Sequence, residues 1–403
     1  MNAAQKLLLS LIKAACFGKK EEALPAPGSG TDPRGEELWR EVYREAMAQR
    51  IAGLAIDGIE ACGLADESGL SSAANGTWRE SGMRNMAWYI RYLHAQNELT
   101  ALLDGEGIPF AVLKGLAAAV YYPAPRARMM GDIDFIVPRE LFDKCREIMT
   151  AAGYEYVPAN EDYARHVAFV KNGITFELHH HFSHDDRDVE TFIDRGLANA
   201  VRVSVDGAEI SMLPDEDNGI VLIDHIRNHL KNGLGLRQLI DWMMYVEKVV
   251  DDDFWESGFG DALASVNMDR LAKVAAGTCV MFLGLDGSRR SWCAGADKEL
   301  CERLMELLLE YGNFGRKQGA GGKVQNVISG MKKEGVFRRL QRAGEANWKA
   351  YKKHRWLKPF AWIYQSGRYL RQGVSTGRSP GTLRKDMKQS VKRDRLMKEL
   401  GAI

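Results

Sequence analysis

Gly131-Asp132-Ile133-Asp134-Phe135-Ile136-Val137, closed by Pro138, alternates carboxylates with apolar residues and then runs fully apolar. That is strand patterning, and a proline ends it. On a strand, side chains at i and i+2 share a face, roughly 6.5–7 Å apart along the chain. Two carboxylates so placed can bracket a pair of divalent ions about 3.5–4 Å apart. A D-x-D triplet alone carries little information, because the chain has others at 186/188, 215/217 and 251/253. The strand-like flanks are what distinguish Asp132 and Asp134.

Working outward, Pro109-Phe110-Ala111-Val112-Leu113 reads as a short strand ended by Lys114-Gly115. Leu116 to Tyr122 is a short helix stopped by Pro123, and a polar loop with Arg126 and Arg128 leads into the D-x-D strand. Beyond it, Glu140 to Ala152 is an amphipathic helix closed by Gly153. Three β-like runs follow: Tyr154 to Val157, His166 to Lys171, and Ile174 to Phe182 across an Asn172-Gly173 hairpin turn. Val201 to Leu213 adds a hairpin around Asp206-Gly207. From Pro214 the pattern is helical again, with Asp215 as the expected N-cap of a helix to about Lys231. Further helices are expected over Leu236 to Val250, Met268 to Leu283 and Lys298 to Tyr311. The sum is an α+β fold, a mixed sheet with short helices between helical flanks.

Glu177 lies in the alternating run Ile174-Thr175-Phe176-Glu177-Leu178, where a glutamate must account for its burial. As a third carboxylate from a neighbouring strand it completes a metal cage with Asp132 and Asp134. All-oxygen ligands point to Mg²⁺, or Mn²⁺. Gly115, at the strand-to-helix turn, sets free N–H groups toward the metal strand as a phosphate seat. Lys114 and Arg128 add positive charge for triphosphate oxygens. Alternation sets His179 on the face of Glu177, beside the metal or as a base, or else simply hydrogen-bonded near the cleft. His225 and His229 share a helix face and either line the cleft or make structural contacts. Arg237 and Asp241 have the spacing of a helical salt bridge, with a role toward substrate as the lesser alternative.

The order of strand, glycine turn, short helix, D-x-D strand and later carboxylate resembles the polymerase-beta nucleotidyltransferase core. Leu113-Lys114-Gly115, Tyr122-Pro123, Arg128-Met129-Met130-Gly131-Asp132-Ile133-Asp134, Phe176-Glu177-Leu178-His179 and His225-x3-His229 with Leu239 and Asp241 resemble, more narrowly, the bacterial uncharacterised nucleotidyltransferase family. The resemblance covers about residues 1–310. It implies transfer of a nucleoside monophosphate from an NTP to a hydroxyl-bearing small-molecule, glycan or peptide acceptor. Asp132, Asp134 and Glu177 would hold the cations. The wider superfamily has Gly-Ser at the turn, and Lys114-Gly115 lacks that hydroxyl. A non-catalytic nucleotide- or partner-binding relative and an RNA-directed end-modifying enzyme are the other readings.

Composition agrees with a globular protein: 403 residues, 45% hydrophobic and 27% charged, with no apolar run of membrane-spanning length. Met1 to Phe17 is apolar but interrupted by Lys13, so an amphipathic first helix fits better than a signal peptide. Six scattered cysteines form no C-x-x-C pair, which fits a reducing cytoplasm. Gly321-Gly322-Lys323 fails as a phosphate loop, because residue 324 is valine.

Charge is distributed unevenly. Residues 316–403 hold 23 Lys+Arg against 5 Asp+Glu, and the preceding 315 hold 32 against 49. The expected organisation is a helical region over 1–105, the nucleotidyltransferase core over 106–213, a helical domain over 214–311, and a glycine linker with a basic, aromatic-rich segment over 312–403. Within 337–371 the aromatics set among cations suit an anionic membrane surface or docking onto the acidic body, and nucleic acid less well.

Overall fold

In the computed structural model of the chain, the residues described are 1–20, 33–66, 68, 77–158, 166–183, 187–313, 317, 336–348, 350–351, 354–375 and 391–402. Most of the expected loops at 22–35, Ser68–Gly76 and Gly312–Gly322 lie outside them, as does the Gly321-Gly322-Lys323 run.

Helix α1 (Ala3–Phe17) starts on a capping box: the Asn2 side chain accepts from Gln5 N at 2.8 Å, and Asn2 N donates to Gln5 Oε1 at 3.0 Å. Leu7, Leu8, Leu11 and Ile12 are buried in the core, so this first helix is a structural element of the body. It packs on α3 (Ala52–Cys62), which follows α2 (Pro33–Gln49). At Gly58 a Cβ would stand 2.2 Å from the Leu11 carbonyl oxygen, so glycine is what permits that approach.

The long helix α4 (Thr77–Gly105) lies along the sheet and grips both of its hairpin turns. Arg91 donates to Asn172 O at 2.5 Å, and Tyr89 OH donates to Asp206 at 2.8 Å. Asn97 bonds Gly207 O and Glu209 N at 3.2 and 3.1 Å. Asn172 and Gly173 (φ 52° and 74°) and Asp206 and Gly207 (φ 47° and 84°) adopt the left-handed conformations that two-residue hairpins need.

The sheet has the order β3-β4-β5-β2-β1-β7-β6, with β1 Ala111–Leu113, β2 Ile133–Ile136, β3 Glu155–Val157, β4 His166–Lys171, β5 Ile174–His179, β6 Val201–Val205 and β7 Ala208–Met212. β2 pairs β5 in parallel and β1 in antiparallel fashion, and β1 meets β7 in parallel. Interposed are α5 (Gly115–Ala119), α6 (Phe142–Ala151) and α7 (Arg187–Ala198), and after the last strand come α8 (Asp215–Asn232) and α9 (Leu236–Lys248), which pack on each other. The architecture is α+β with a mixed sheet and helical flanks, as the sequence predicts.

Local differences have local causes. The strand expected to reach Phe182 stops at His179, because the Phe182 and Ser183 amides turn to donate to Glu190, at 2.8 and 2.5 Å. Asp215 is the first residue of α8 and not its N-cap; Pro214 takes the cap position and the Asp215 carboxylate accepts from Tyr121 OH at 2.7 Å.

The basic segment divides in two. Helices Val336–Asn347 and Ala361–Ser375 pack as a hairpin, close enough that a Cβ at Gly344 would stand 2.0 Å from Ala361 O. Helix 391–399 instead docks on the body, with Leu396, Met397 and Leu400 buried in the main core and Glu399 paired with Arg303. Among the described residues, no helix is long and apolar enough to cross a membrane.

Candidate active site

Strand register sets the acidic residues together. In the parallel β2–β5 pair Asp134 stands opposite Glu177, and Ile136 opposite His179. The antiparallel β4–β5 pair sets His166 opposite His179 and Ala168 opposite Glu177. Strand periodicity therefore gathers Asp134, Glu177, His179 and His166 on one face, with Asp132 at the open entry of β2. Tyr92 of α4 fixes that entry by donating from its hydroxyl to Asp132 O at 3.2 Å. The same hydroxyl lies where a Cβ on Gly115 would fall, 2.5 Å away, so the turn is built around glycine.

Lys114 precedes that glycine at φ 59° and ψ −140°, a region that costs a residue with a Cβ about 1–3 kcal/mol. The strained turn delivers its ammonium to Asp134 Oδ1 at 2.7 Å. His179 Nε2 approaches the same oxygen at 3.2 Å and Glu177 Oε2 at 3.6 Å, while His166 Nε2 lies 3.6 Å from Glu177 Oε1.

These contacts decide the charge states. Burial works against ionised Asp134, yet Lys114 and His179 outweigh it and hold its carboxyl well below the usual range. Burial also opposes the charged form of His179, and its hydrogen bonds to Asp134 and Glu177 win, raising its pKa. Asp132 goes the other way: desolvation of its surroundings, then the charges of Glu177 and Asp134, push its carboxyl up. Three carboxylates crowded at a half-buried site, where desolvation first and like charge second oppose ionisation of Asp132, make a donor set that fits divalent cations.

Arg128 does not present its charge to a phosphate seat. It is buried, and its guanidinium forms a fork with Asp241 at 2.7 and 2.8 Å, while Tyr122 OH donates to the same carboxylate at 2.6 Å. Bidentate geometry matches arginine to aspartate and commits the group. The expected Arg237–Asp241 salt bridge is thereby replaced. Arg237 donates from Nη1 to Met129 O at 3.1 Å and forms no ion pair with any described carboxylate. Burial, then the neighbouring Arg128, lowers its pKa to about 10. It is an electrostatic neighbour of Asp132, and its Nη1 would lie 3.9 Å from a Cβ at Gly131.

His225 and His229 stack edge-on with ring centroids 4.3 Å apart. Burial, followed by His229, Lys114, Arg237 and Arg128, drives the His225 pKa well down, so it is a neutral imidazole beside the cationic side of the site. Sequence reasoning gives His166 no place at the site and gives Arg237 a substrate role only as the lesser alternative to a salt bridge. The first was readable, because the two-residue turn at Asn172-Gly173 fixes a register that pairs residue 166 with 179. For the second, helical spacing favours the salt bridge, and only the tertiary fold shows that Arg128 takes Asp241.

No curated protein matches the chain. A solved structure described as an antigenic nucleotidyltransferase-like protein from Paracoccidioides brasiliensis is similar at 15% identity and a TM-score of 0.30, over 49% of this chain and 95% of that one. The profile of the family described as "Uncharacterised nucleotidyltransferase" matches residues 35–284 and so takes in every residue of the site. The chain belongs to that family of uncharacterised nucleotidyltransferases.

Proposed function

We propose that the protein transfers a nucleoside monophosphate from an NTP to a hydroxyl-bearing acceptor, a small molecule, glycan or peptide, by a two-metal mechanism. The supporting observation is the Asp134–Glu177 pair, in register on adjacent parallel strands with Asp132 at the strand entry. Divalent cations held by these three carboxylates, Mg²⁺ or Mn²⁺, would supply activation of the acceptor hydroxyl and neutralisation of the α-phosphate. A bond forms between acceptor oxygen and α-phosphorus, the bond to the β-bridging oxygen breaks, and pyrophosphate leaves.

The chain's own residues orient the reactants. Lys114, relieved of Asp134 once the carboxylates hold cations, is free to meet the β- and γ-phosphates. Arg237 takes the phosphate role that the sequence assigned to Arg128. A buried cation without a carboxylate partner is costly, and a phosphate would offset that cost. Gly115 allows Tyr92 and the turn to close over the site. Pyrophosphate release on incubation with NTP and acceptor tests the reading and separates it from a non-catalytic relative.

The two arginines give a sharp prediction. Triphosphate with Mg²⁺ should raise the melting temperature, and EDTA should cancel the rise. Arg237→Met should keep the fold and lose most of that rise. Arg128→Met should lower stability itself, by about 3–5 kcal/mol, since it strands Asp241 in the interior. Equal behaviour of the two variants in ligand-dependent melts contradicts the division of roles.

The hairpin over 336–375 supports a cytoplasmic protein peripheral to an anionic membrane. Trp356 is 72% exposed and Phe337 59%, with Phe360 and Ile363 also exposed. Arg338, Arg355, Lys358 and Arg368 are exposed among them. Aromatics suit the interfacial layer, and each cation near an anionic surface contributes about 1 kcal/mol. Phosphatidylserine vesicles should pull down the full chain at low salt, and Trp356→Ser with Phe360→Ser should release it. Sedimentation unchanged by the double substitution, or none at all, rules this surface out.

A further inference from the structure

The proposed reaction needs only oxygen ligands, yet the site carries two imidazoles that such chemistry leaves unexplained. His166 Nε2 and His179 Nε2 each lie 3.6 Å from a different oxygen of Glu177. The ligand atoms of the three residues all fall within 4.8 Å of one another. Donors bound at about 2.0–2.1 Å around a tetrahedral cation stand about 3.4 Å apart, so closing on an ion asks donors now within 4.8 Å to approach one another by at most about 1.4 Å.

The scaffold is rigid in the right places. His166 and His179 are cross-strand partners, the β4–β5 turn is tied to α4 by Arg91, and Glu177 is one pleat from His179. His179 also has the orientation of a ligand. Its Nδ1 faces the His181 carbonyl at 3.4 Å, which leaves Nε2 as the nitrogen turned to the carboxylates. A cation there takes the place of the Nε2 proton. Three protein donors leave a coordination position open, the arrangement of catalytic metal sites.

We infer that His166, Glu177 and His179 form a site for a borderline-soft divalent cation, taking Zn²⁺, Co²⁺ or Mn²⁺ ahead of Mg²⁺. The inference deepens the proposed function and rests on its assignment of Glu177 as a metal ligand. Two nitrogens and one carboxylate suit transition metals, with affinity rising from Mn²⁺ through Co²⁺, whereas Mg²⁺ favours oxygens alone. His166 thereby becomes the residue that sets metal preference, because it is the ligand contributed by β4.

The test is titration of the metal-stripped full-length protein with Co²⁺, read by its visible absorption. The expected result is one equivalent bound with the intense bands of a low-coordinate site, displaced by Zn²⁺ and not by excess Mg²⁺. His166→Ala should weaken Co²⁺ binding more than about 10-fold, and melting of the variant confirms that it is folded. If Co²⁺ binds no better than Mg²⁺, or His166→Ala binds it as wild type does, the inference falls, while Mg²⁺-supported transfer leaves the nucleotidyltransferase reading standing. If the Co²⁺ bands appear and no NTP is turned over, the metal site stands and the proposed reaction falls.

Discussion

Asp132→Asn and Asp134→Asn are expected to abolish transfer alike and to differ in stability. Each removes a carboxylate from the proposed cation cage, and a loss of at least about 100-fold is the scale for removing one preorganised electrostatic group from an active site. In the folded protein the carboxyls of the two acids are shifted in opposite directions, Asp132 up and Asp134 down. Asp132 is held up by desolvation and by like charge, so Asn there should leave the melting temperature unchanged or slightly raised.

Asp134 is the partner of both Lys114 and His179, so Asn there removes the acid that a largely buried lysine needs. A loss of roughly 3 kcal/mol is expected. Its native pKa is depressed, so the stabilisation is present above about pH 4 and is lost as pH falls through the native value. The stability gap between wild type and Asp134→Asn should therefore narrow in acid. Thermal melts across pH check this. Identical melting of the two variants at neutral pH contradicts the pairing, and transfer by either one contradicts the carboxylate assignment.

The second large effect concerns a helix that contributes no residue to the site. Leu400→Ala should cost about 2–5 kcal/mol, because helix 391–399 closes the main core and Leu400 is fully buried. A chain ended near Gly315 should be strongly destabilised for the same reason. Replacing only the 336–375 hairpin with a flexible linker should leave the melting of the body nearly unchanged. The sequence offers docking on the body, a membrane surface and, less well, nucleic acid as partners for residues 337–371; in the structure it is helix 391–399, beyond them, that docks, and the hairpin over 336–375 carries exposed aromatics. Unchanged stability after removal of 391–402 overturns the docked-helix account.

The legibility of this chain follows from the range of each interaction. Period-two alternation and two-residue turns are local, so β2, β4, β5 and both hairpins are readable from residues 132–213. The register of the β4–β5 hairpin was implicit in Asn172-Gly173, and with it the pairing of His166 with His179. Capping at α8 was misassigned, because Asp215 and Pro214 compete for one position and Tyr121, remote in sequence, holds the aspartate. The arginines were least readable. Helical spacing favours Arg237–Asp241, but the fork of Arg128, reinforced by Tyr122, takes the carboxylate across more than 100 residues of chain. Side-chain competition of that kind is decided by tertiary geometry alone.

The most direct test of the central claim is to incubate the intact protein with Mg²⁺ or Mn²⁺, a cell extract and each α-labelled NTP in turn. The account predicts that one or more NTPs pass label to an acceptor with equimolar pyrophosphate, and that Asp132→Asn loses both. Tight triphosphate binding without label transfer for every NTP, or release of orthophosphate from γ-labelled NTP with no labelled acceptor, contradicts it.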